Sequence, residues 1–320
     1  MSTEESPRAI LAALGANVAI AIAKFVAFAF TGSSSMLAEG VHSVADSGNQ
    51  VLLLVGRRRS QREVTAQHPF GYGRERYFYA FVVSLVLFSL GSLFALYEGY
   101  EKVAHPHELE SPAWAFGVLV FAIVAEGFSF RTAIREANHT RAGISWIAFI
   151  RRAKSPELPV VLLEDFGALI GLVLALVGVG LAVLTGNGRW DGVGTLGIGI
   201  LLGIIAIVLA VETKSLLIGE VAAPDVVRRI EQALLAGPEI ERIIHLRTVH
   251  LGPDELLVAA KIAVAHDDTA ATVAQGIDAA ERRVREAAPT ARVIYLEPDL
   301  YRREPVAGDG ATDRLRGRPR

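Results

Sequence analysis

The chain contains no cysteine among its 320 residues. That absence removes disulfides, thiolate metal ligands and cysteine nucleophiles together, so any transition-metal chemistry must use His, Asp and Glu. Charge is also scarce: 21% of residues are charged, the formal net charge is -2, and mean hydropathy is +0.38. Soluble domains carry about a quarter charged residues, and a near-neutral chain has no global field with which to recruit nucleic acid. There is no His-Glu-x-x-His element, and no Gly-Lys-Ser or Gly-Lys-Thr follows Gly71 and Gly73, which read as a turn and not as a phosphate loop. The opening residues MSTEESPRAI lack the basic start and small-residue cleavage site of a signal peptide, so the first apolar run reads as a retained anchor.

Apolar sequence is what the chain has in abundance. A bilayer core of roughly 30 Å needs about 20 mainly apolar residues as a helix. Six runs meet this need, at about 9–30, 34–56, 78–101, 113–134, 158–184 and 193–218. Small residues are frequent in them, as in GALIGLVLALVGVG (Gly167–Gly180) and GTLGIGILLG (Gly194–Gly203), which suits close helix packing in a bundle. Basic residues crowd the loops after the second and fourth runs: Arg57, Arg58, Arg59, Arg62, Arg74 and Arg76, then Arg131, Arg135, Arg141, Arg151, Arg152 and Lys154. This asymmetry places both loops, and with them both chain ends, in the cytoplasm. The arginines serve topology and lipid headgroups, or ion pairs with a soluble domain. The expected location is an integral position in the lipid bilayer of a prokaryotic plasma membrane.

From about Val221 the composition shifts. PDVVRRIEQALLAG is helical in period, IERIIHLRTVHLG and ELLVAAKIAVAH read as strands, DTAATVAQGIDAAERRVREAAP is helical, and ARVIYLEP is a strand. The order is that of a small α+β unit with its helices on one sheet face. The expected division is a transmembrane domain at 1–218, a cytoplasmic domain at 219–300, and a Gly-, Pro- and Arg-rich disordered tail at 301–320.

Ionisable residues inside the apolar runs are the candidate site. His42 and Asp46 lie one turn apart on the second run and share a face. An aspartate at the centre of a spanning helix costs about 2.5 to 3.5 kcal/mol on insertion scales, so something must compensate it. Glu164 and Asp165 in VVLLEDFGALIG and Glu126 in FAIVAEGFSF add carboxylates at similar depth. One imidazole with several carboxylates suits a divalent cation, and the imidazole favours zinc over magnesium or calcium. The alternative is that these groups hydrogen-bond helices together. Adjacent helical residues point about 100° apart, so Glu164 and Asp165 cannot both face one centre directly.

With the stretch SSSMLAEGVHSVADSGNQ, the following HPFGYGRERY and the carboxylate in the fifth run, the chain resembles the cation diffusion facilitator family of divalent-metal transporters over nearly its whole length. The resemblance implies six transmembrane helices, a ferredoxin-like cytoplasmic domain, a homodimer, and exchange of cytosolic metal for protons. It maps paired metal ligands onto His42 and Asp46 and onto Asp165. The remaining family position, usually histidine, is Val161 here, so Glu164 or Glu126 is the candidate replacement. An oxygen-rich site of that kind would widen the choice to manganese, iron or cobalt. LLED in this place resembles a divergent, zinc-transporter-like branch that includes a mitochondrial zinc transporter of animals.

His68 matches one ligand of a loop-borne family site, but Tyr72 stands where a second histidine is common, which leaves a solvated loop residue. His245 and His250 differ by an odd number and face opposite sides of one strand. With Ala260 and Leu296 at the family's carboxyl-terminal ligand positions, dimerisation without a structural zinc cluster is expected. The implied function is proton-coupled efflux of a divalent cation, zinc foremost. The metal is the substrate and no cofactor is expected. The alternatives are a manganese or iron exporter, a non-transporting dimeric metal sensor or scaffold, and a membrane metalloenzyme. The last would need an open metal position and a general base, so the protein is not expected to be an enzyme.

Overall fold

The computed structural model describes residues 6–31, 34–106, 112–141 and 143–301. The tail expected to be disordered therefore lies, from residue 302, outside the described residues. The chain divides into two compact units, a helical one comprising Met1–Glu220 with His250–Asp254, and a second comprising Val221–Val249 with Glu255–Arg320.

The helical unit is built from α1 (Ser6–Thr31), α2 (Ser34–Ser60), α3 (Glu75–Val86), α4 (Phe94–Ala104), α5 (Pro112–Thr140), α6 (Trp146–Arg152), α7 (Glu157–Thr185) and α8 (Arg189–Ile218). A π-helical segment, Leu87–Leu93, joins α3 and α4 into one run, Glu75–Ala104. Among the described residues, that run, Ala113–Thr140, α7 and α8 are the four helices long and apolar enough to cross a membrane. α1 contributes a shorter apolar stretch, Leu14–Val26. α2 is the one that carries the Gly-, Ser-, Asp- and Asn-rich motif.

Local chemistry places the boundaries. Gly186 adopts the left-handed conformation (φ 65°) that ends α7. The short α6 starts at Ser145, whose hydroxyl accepts from the Ala148 amide at 3.2 Å. α4 meets α8 at a close backbone approach: a Cβ at Gly99 would lie 2.7 Å from the Leu196 nitrogen. Only glycine permits that separation.

Large apolar side chains point outward over the helical unit, among them Phe128, Leu184 and Ile207. Water disfavours such a surface and a lipid solvent does not. The apolar core, including Ile10, Leu53, Val83, Ala133, Val161 and Leu209, fills the half of the bundle nearest the arginine-rich loops. A cavity occupies the other half.

The second unit runs α9 (Pro224–Leu235), β1 (Arg242–Gly252), β2 (Glu255–Ala263), α10 (Ala270–Ala287) and β3 (Ala291–Asp299), with sheet order β1-β2-β3. Pro224 opens α9 at a position where no N–H is needed. The Thr269 hydroxyl caps α10 by accepting from the Thr272 amide at 3.2 Å. β2 and β3 are parallel, as the α10 crossover requires. β2 alternates intermediate and buried positions, so Leu256, Val258, Ala260 and Ile262 meet Ile230, Leu234, Ala280 and Val284 in one core.

Candidate metal centre

The cavity of about 250 Å³ lies among α1, α2, the Leu87–Ala104 portion of the third run, α5, α7 and α8. Asp46, Glu126, Glu164 and Asp165 all reach its lining, from three different helices. Carboxylates so placed demand either a cation or hydrogen-bond donors, because an unpaired charge out of water is costly.

The four are treated differently. Glu164, fully inside the bundle, accepts from both amides of α2 that face it: Asn49 Nδ2 at 3.1 Å and Gln50 Nε2 at 2.9 Å. Both of its oxygens are engaged in fixing α7 to α2. Asp165 turns the other way, toward α5, where Ser129 Oγ donates to its Oδ2 at 2.6 Å. One of its oxygens is thereby oriented. The near-100° divergence of adjacent helical side chains thus sends the pair to two neighbours. Glu126 is buried, makes no hydrogen bond or ion pair among the described residues, and lies in electrostatic reach of Asp46, Asp165 and Lys24. Asp46 is half-buried at the cavity wall.

His42 belongs to α2, but its side chain lies outside the described residues. Val161 is fully buried in the apolar core and does not line the cavity. Among the described residues no three His, Asp or Glu side chains are gathered closely enough to hold an ion. The carboxylates share one chamber without forming a closed shell, so an ion entering it would have to draw them together.

Other polar groups in the chamber were not singled out from the sequence. Lys24 and Asn17 of α1 and Ser43 of α2 are buried and line it. Away from the carboxylates, the lining continues through Phe94, Ala175 and Val179 to Glu98, Lys102 and Asp191. Lys102 bridges Glu98 at 3.3 Å and Asp191 at 3.1 Å. Leu87 and Gly91 of the π-helical segment form part of the wall, and Ser92 Oγ ties that segment to the Gly199 carbonyl at 2.8 Å. Single π turns within helices are frequent at functional sites.

Outside the cavity, Arg76 is not a lipid-facing loop residue. It is buried and forms a two-pronged ion pair with Glu157 at the start of α7. His68 is exposed, with its ring 4.5 Å from that of Tyr72.

The helical unit thus encloses, among apolar helices, a chamber lined with carboxylates. Residues 10–218 match the cation efflux transmembrane domain. The chain belongs to the cation diffusion facilitator family of metal efflux proteins. It is 34% identical over 241 residues, 75% of this chain, to the Xenopus laevis "Proton-coupled zinc antiporter SLC30A9, mitochondrial". It is 29% identical over 267 residues to metal tolerance protein C4 of Arabidopsis thaliana, covering 82% of this chain and 58% of that one. With the cation-efflux pump FieF of Pectobacterium atrosepticum it shares 26% over 292 residues, 89% of this chain and 90% of the pump. The chain spans less than half the length of the frog protein, 43%.

Proposed function

We propose that this protein exports divalent metal cations, zinc foremost, in exchange for protons. It would do so by alternating access around a site formed by His42, Asp46 and Asp165, completed by Glu126. The observation that carries this reading is the single chamber whose wall Asp46, Glu126 and Asp165 line from α2, α5 and α7. Glu164 is then a positioning residue, since two amides already occupy its oxygens. Zinc accepts one imidazole with carboxylate oxygens. So oxygen-rich a set also admits manganese or iron.

The proposed architecture has six spans, with α1 and α2 completing the four apolar ones, and the second unit acts as a ferredoxin-like cytoplasmic domain in a homodimer. If the arginine-rich loops are cytoplasmic, the chamber leads to the opposite face, and the apolar core around Leu53, Val161 and Leu209 closes the cytoplasmic half. That is the arrangement of an outward-open carrier. Metal displaces protons from the ligands on the inside, and protons displace metal on the outside, because both compete for the same imidazole and carboxylate atoms. The proposed setting is a prokaryotic plasma membrane, with both termini inside, and the protein performs no covalent chemistry.

Flux through sealed proteoliposomes tests this. Zinc, manganese and iron are each offered with and without a pH gradient. Acceleration of export by an acidic far side is expected, and calorimetry in buffers of different ionisation enthalpy should register proton release on metal binding. Flux that ignores the gradient, with buffer-independent enthalpies, would make the protein a uniporter. No flux of any metal would favour a sensor or scaffold.

A further inference from the structure

The exposed face of α5 changes character along the helix. Phe121, Val124 and Phe128, spaced three and four residues apart, lie on one face and are exposed, Phe128 by 67%. Continuing the same spacing, the next two positions are Arg131 and Arg135, both exposed. The short α6 repeats that contrast. Trp146 and Ile147 are exposed, Ile147 by 71%, Phe149 enters the apolar core, and the exposed Arg151 and Arg152 close the helix. Arg141 joins the two helices. Its guanidinium lies 4.2 Å from the centre of the Trp146 ring, Nε donates to Asn138 Oδ1 at 3.0 Å, and Nη1 donates to the Ile144 carbonyl at 3.2 Å. Acid is nearly absent: from residue 127 to 156 there is one, Glu136, and it is buried. Arg151 approaches Glu212 at 3.9 Å, and Arg131, Arg135 and Arg152 have no carboxylate partner among the described residues.

An apolar stripe that ends in arginines marks the depth at which acyl chains give way to headgroups. A tryptophan and an isoleucine exposed beside two arginines fit the same boundary, with apolar side chains toward the acyl chains and guanidinium groups toward phosphate. We propose that α6 and the arginine end of α5 form a docking surface for anionic phospholipid. Trp146 and Ile147 meet the acyl boundary, and Arg131, Arg135, Arg151 and Arg152 bind headgroup phosphate. A guanidinium fork matches phosphate oxygens two at a time. Every phospholipid has that phosphate, but a choline headgroup cancels its charge. Four arginines, three of them without a carboxylate partner among the described residues, therefore select lipids of net negative charge. Arg141 holds the indole in place before lipid arrives. None of these residues lines the chamber, so the surface stands apart from the ion carried there.

The test reads Trp146 directly. In the full chain, Trp114→Phe and Trp190→Phe leave Trp146 as the single tryptophan, and the protein is reconstituted into phosphatidylcholine vesicles containing a minor fraction of phosphatidylglycerol. Brominated acyl chains quench a tryptophan that they touch. In one set the phosphatidylglycerol is brominated, and in the other an equal mole fraction of the phosphatidylcholine is. Random mixing would quench Trp146 equally in both. The expected result is a relative affinity for phosphatidylglycerol at least about threefold higher, which falls on raising salt to about 1 M. Replacing all four arginines by Gln should bring it to unity, and Arg151→Gln with Arg152→Gln should bring it part of the way. Arg151→Lys with Arg152→Lys keeps the charge and should retain most of the preference. If the quadruple variant does not fold, the two double variants decide. Equal quenching by the two lipids, no quenching by either, or a preference unchanged in the Gln double variant would each overturn the proposal. Loss of the preference on adding inorganic phosphate at constant ionic strength would assign the arginines to a free anion and overturn it as well.

Discussion

The two compact units handle charge in opposite ways. In the second unit the described core is wholly apolar, and ionised groups stay at the rim, as in Lys261 with Glu297 and Asp299 at 3.0 Å each. In the helical unit Lys24, Glu126, Glu157, Glu164 and Asp165 are all buried, while the outward surface is apolar. The first pattern is that of a domain stabilised by excluding water from its centre. The second gathers Lys24, Glu126, Glu164 and Asp165 around a central chamber, where only a cation or a hydrogen-bond network can compensate the carboxylates, and pairs Glu157 with Arg76 outside it. Substitutions in the chamber should therefore change function first, and substitutions in the second unit should change stability first.

The largest effect tests this contrast at its strongest point. Asp46→Ala and Asp165→Ala should each reduce metal flux to background, a fall of about a hundredfold or more, because each removes a charged oxygen donor. All three tryptophans, Trp114, Trp146 and Trp190, belong to the helical unit, so their fluorescence reports whether that unit still folds. Wild-type flux in either variant would remove that carboxylate from the site. Ser129→Ala should weaken metal binding about tenfold, the usual scale for a group that orients a ligand, since Ser129 holds Asp165 at 2.6 Å.

Glu126 and Glu164 sharpen the comparison within one unit. Glu126→Gln should lower metal affinity about as much as loss of an established ligand. Glu164→Gln should leave affinity within a few-fold of wild type but lower thermal stability, because an amide would replace a carboxylate that accepts two hydrogen bonds. The cost is about 1 to 3 kcal/mol for buried groups left unsatisfied. Calorimetric titration and a melting curve on the same samples separate the two. The reverse pattern would make Glu164 the ligand.

The carboxylates were legible in the sequence because an ionisable residue in an apolar run has few explanations, and the order of helices and strands followed from periodicity. Lys24 carries the same signal in a weaker form. A lysine near a helix end can extend its stem to the interface, so only the observed bond to Ser43 shows that its head turns inward. The partners of the carboxylates were not legible either. Nothing in VADSGNQ says that Asn49 and Gln50 meet Glu164, more than a hundred residues away. The π-helical turn has no compositional mark, and α6, with seven residues, is too short for a periodic pattern.

A smaller effect is expected where the helical unit depends on packing. Gly99→Ala would place a methyl 2.7 Å from the Leu196 nitrogen, a backbone atom that can yield only if α4 and α8 separate. Overpacking of that kind costs about 1 to 3 kcal/mol. A lower melting temperature with an unchanged metal affinity is the expected outcome. Wild-type stability would mean that the two helices are not held at this distance.

The smallest effect belongs to the second unit and depends on pH. Burial by itself would raise the pKa of Glu239, but a backbone hydrogen bond and the ion pair with Arg283 outweigh it and hold the carboxyl below its ordinary value. A carboxyl whose folded pKa is depressed binds fewer protons folded than unfolded. Its contribution is therefore complete above the unfolded value, about 4.3, and is lost as pH falls through the folded one. Because the pair is only partly buried, solvent screening keeps that contribution below about 1 kcal/mol. Arg283 also donates from Nε to the Ala233 carbonyl at 2.9 Å, joining α10 to the end of α9, so the effect should centre on these two helices. Glu239→Gln should open α9 and α10 slightly at neutral pH and remove part of their sensitivity to acid. Hydrogen exchange of peptides from α9 and α10, followed in the full chain between about pH 6 and pH 3.5 with correction for the intrinsic exchange rate, measures this. Equal acid sensitivity in wild type and variant would show that the ion pair does not couple to folding of the second unit.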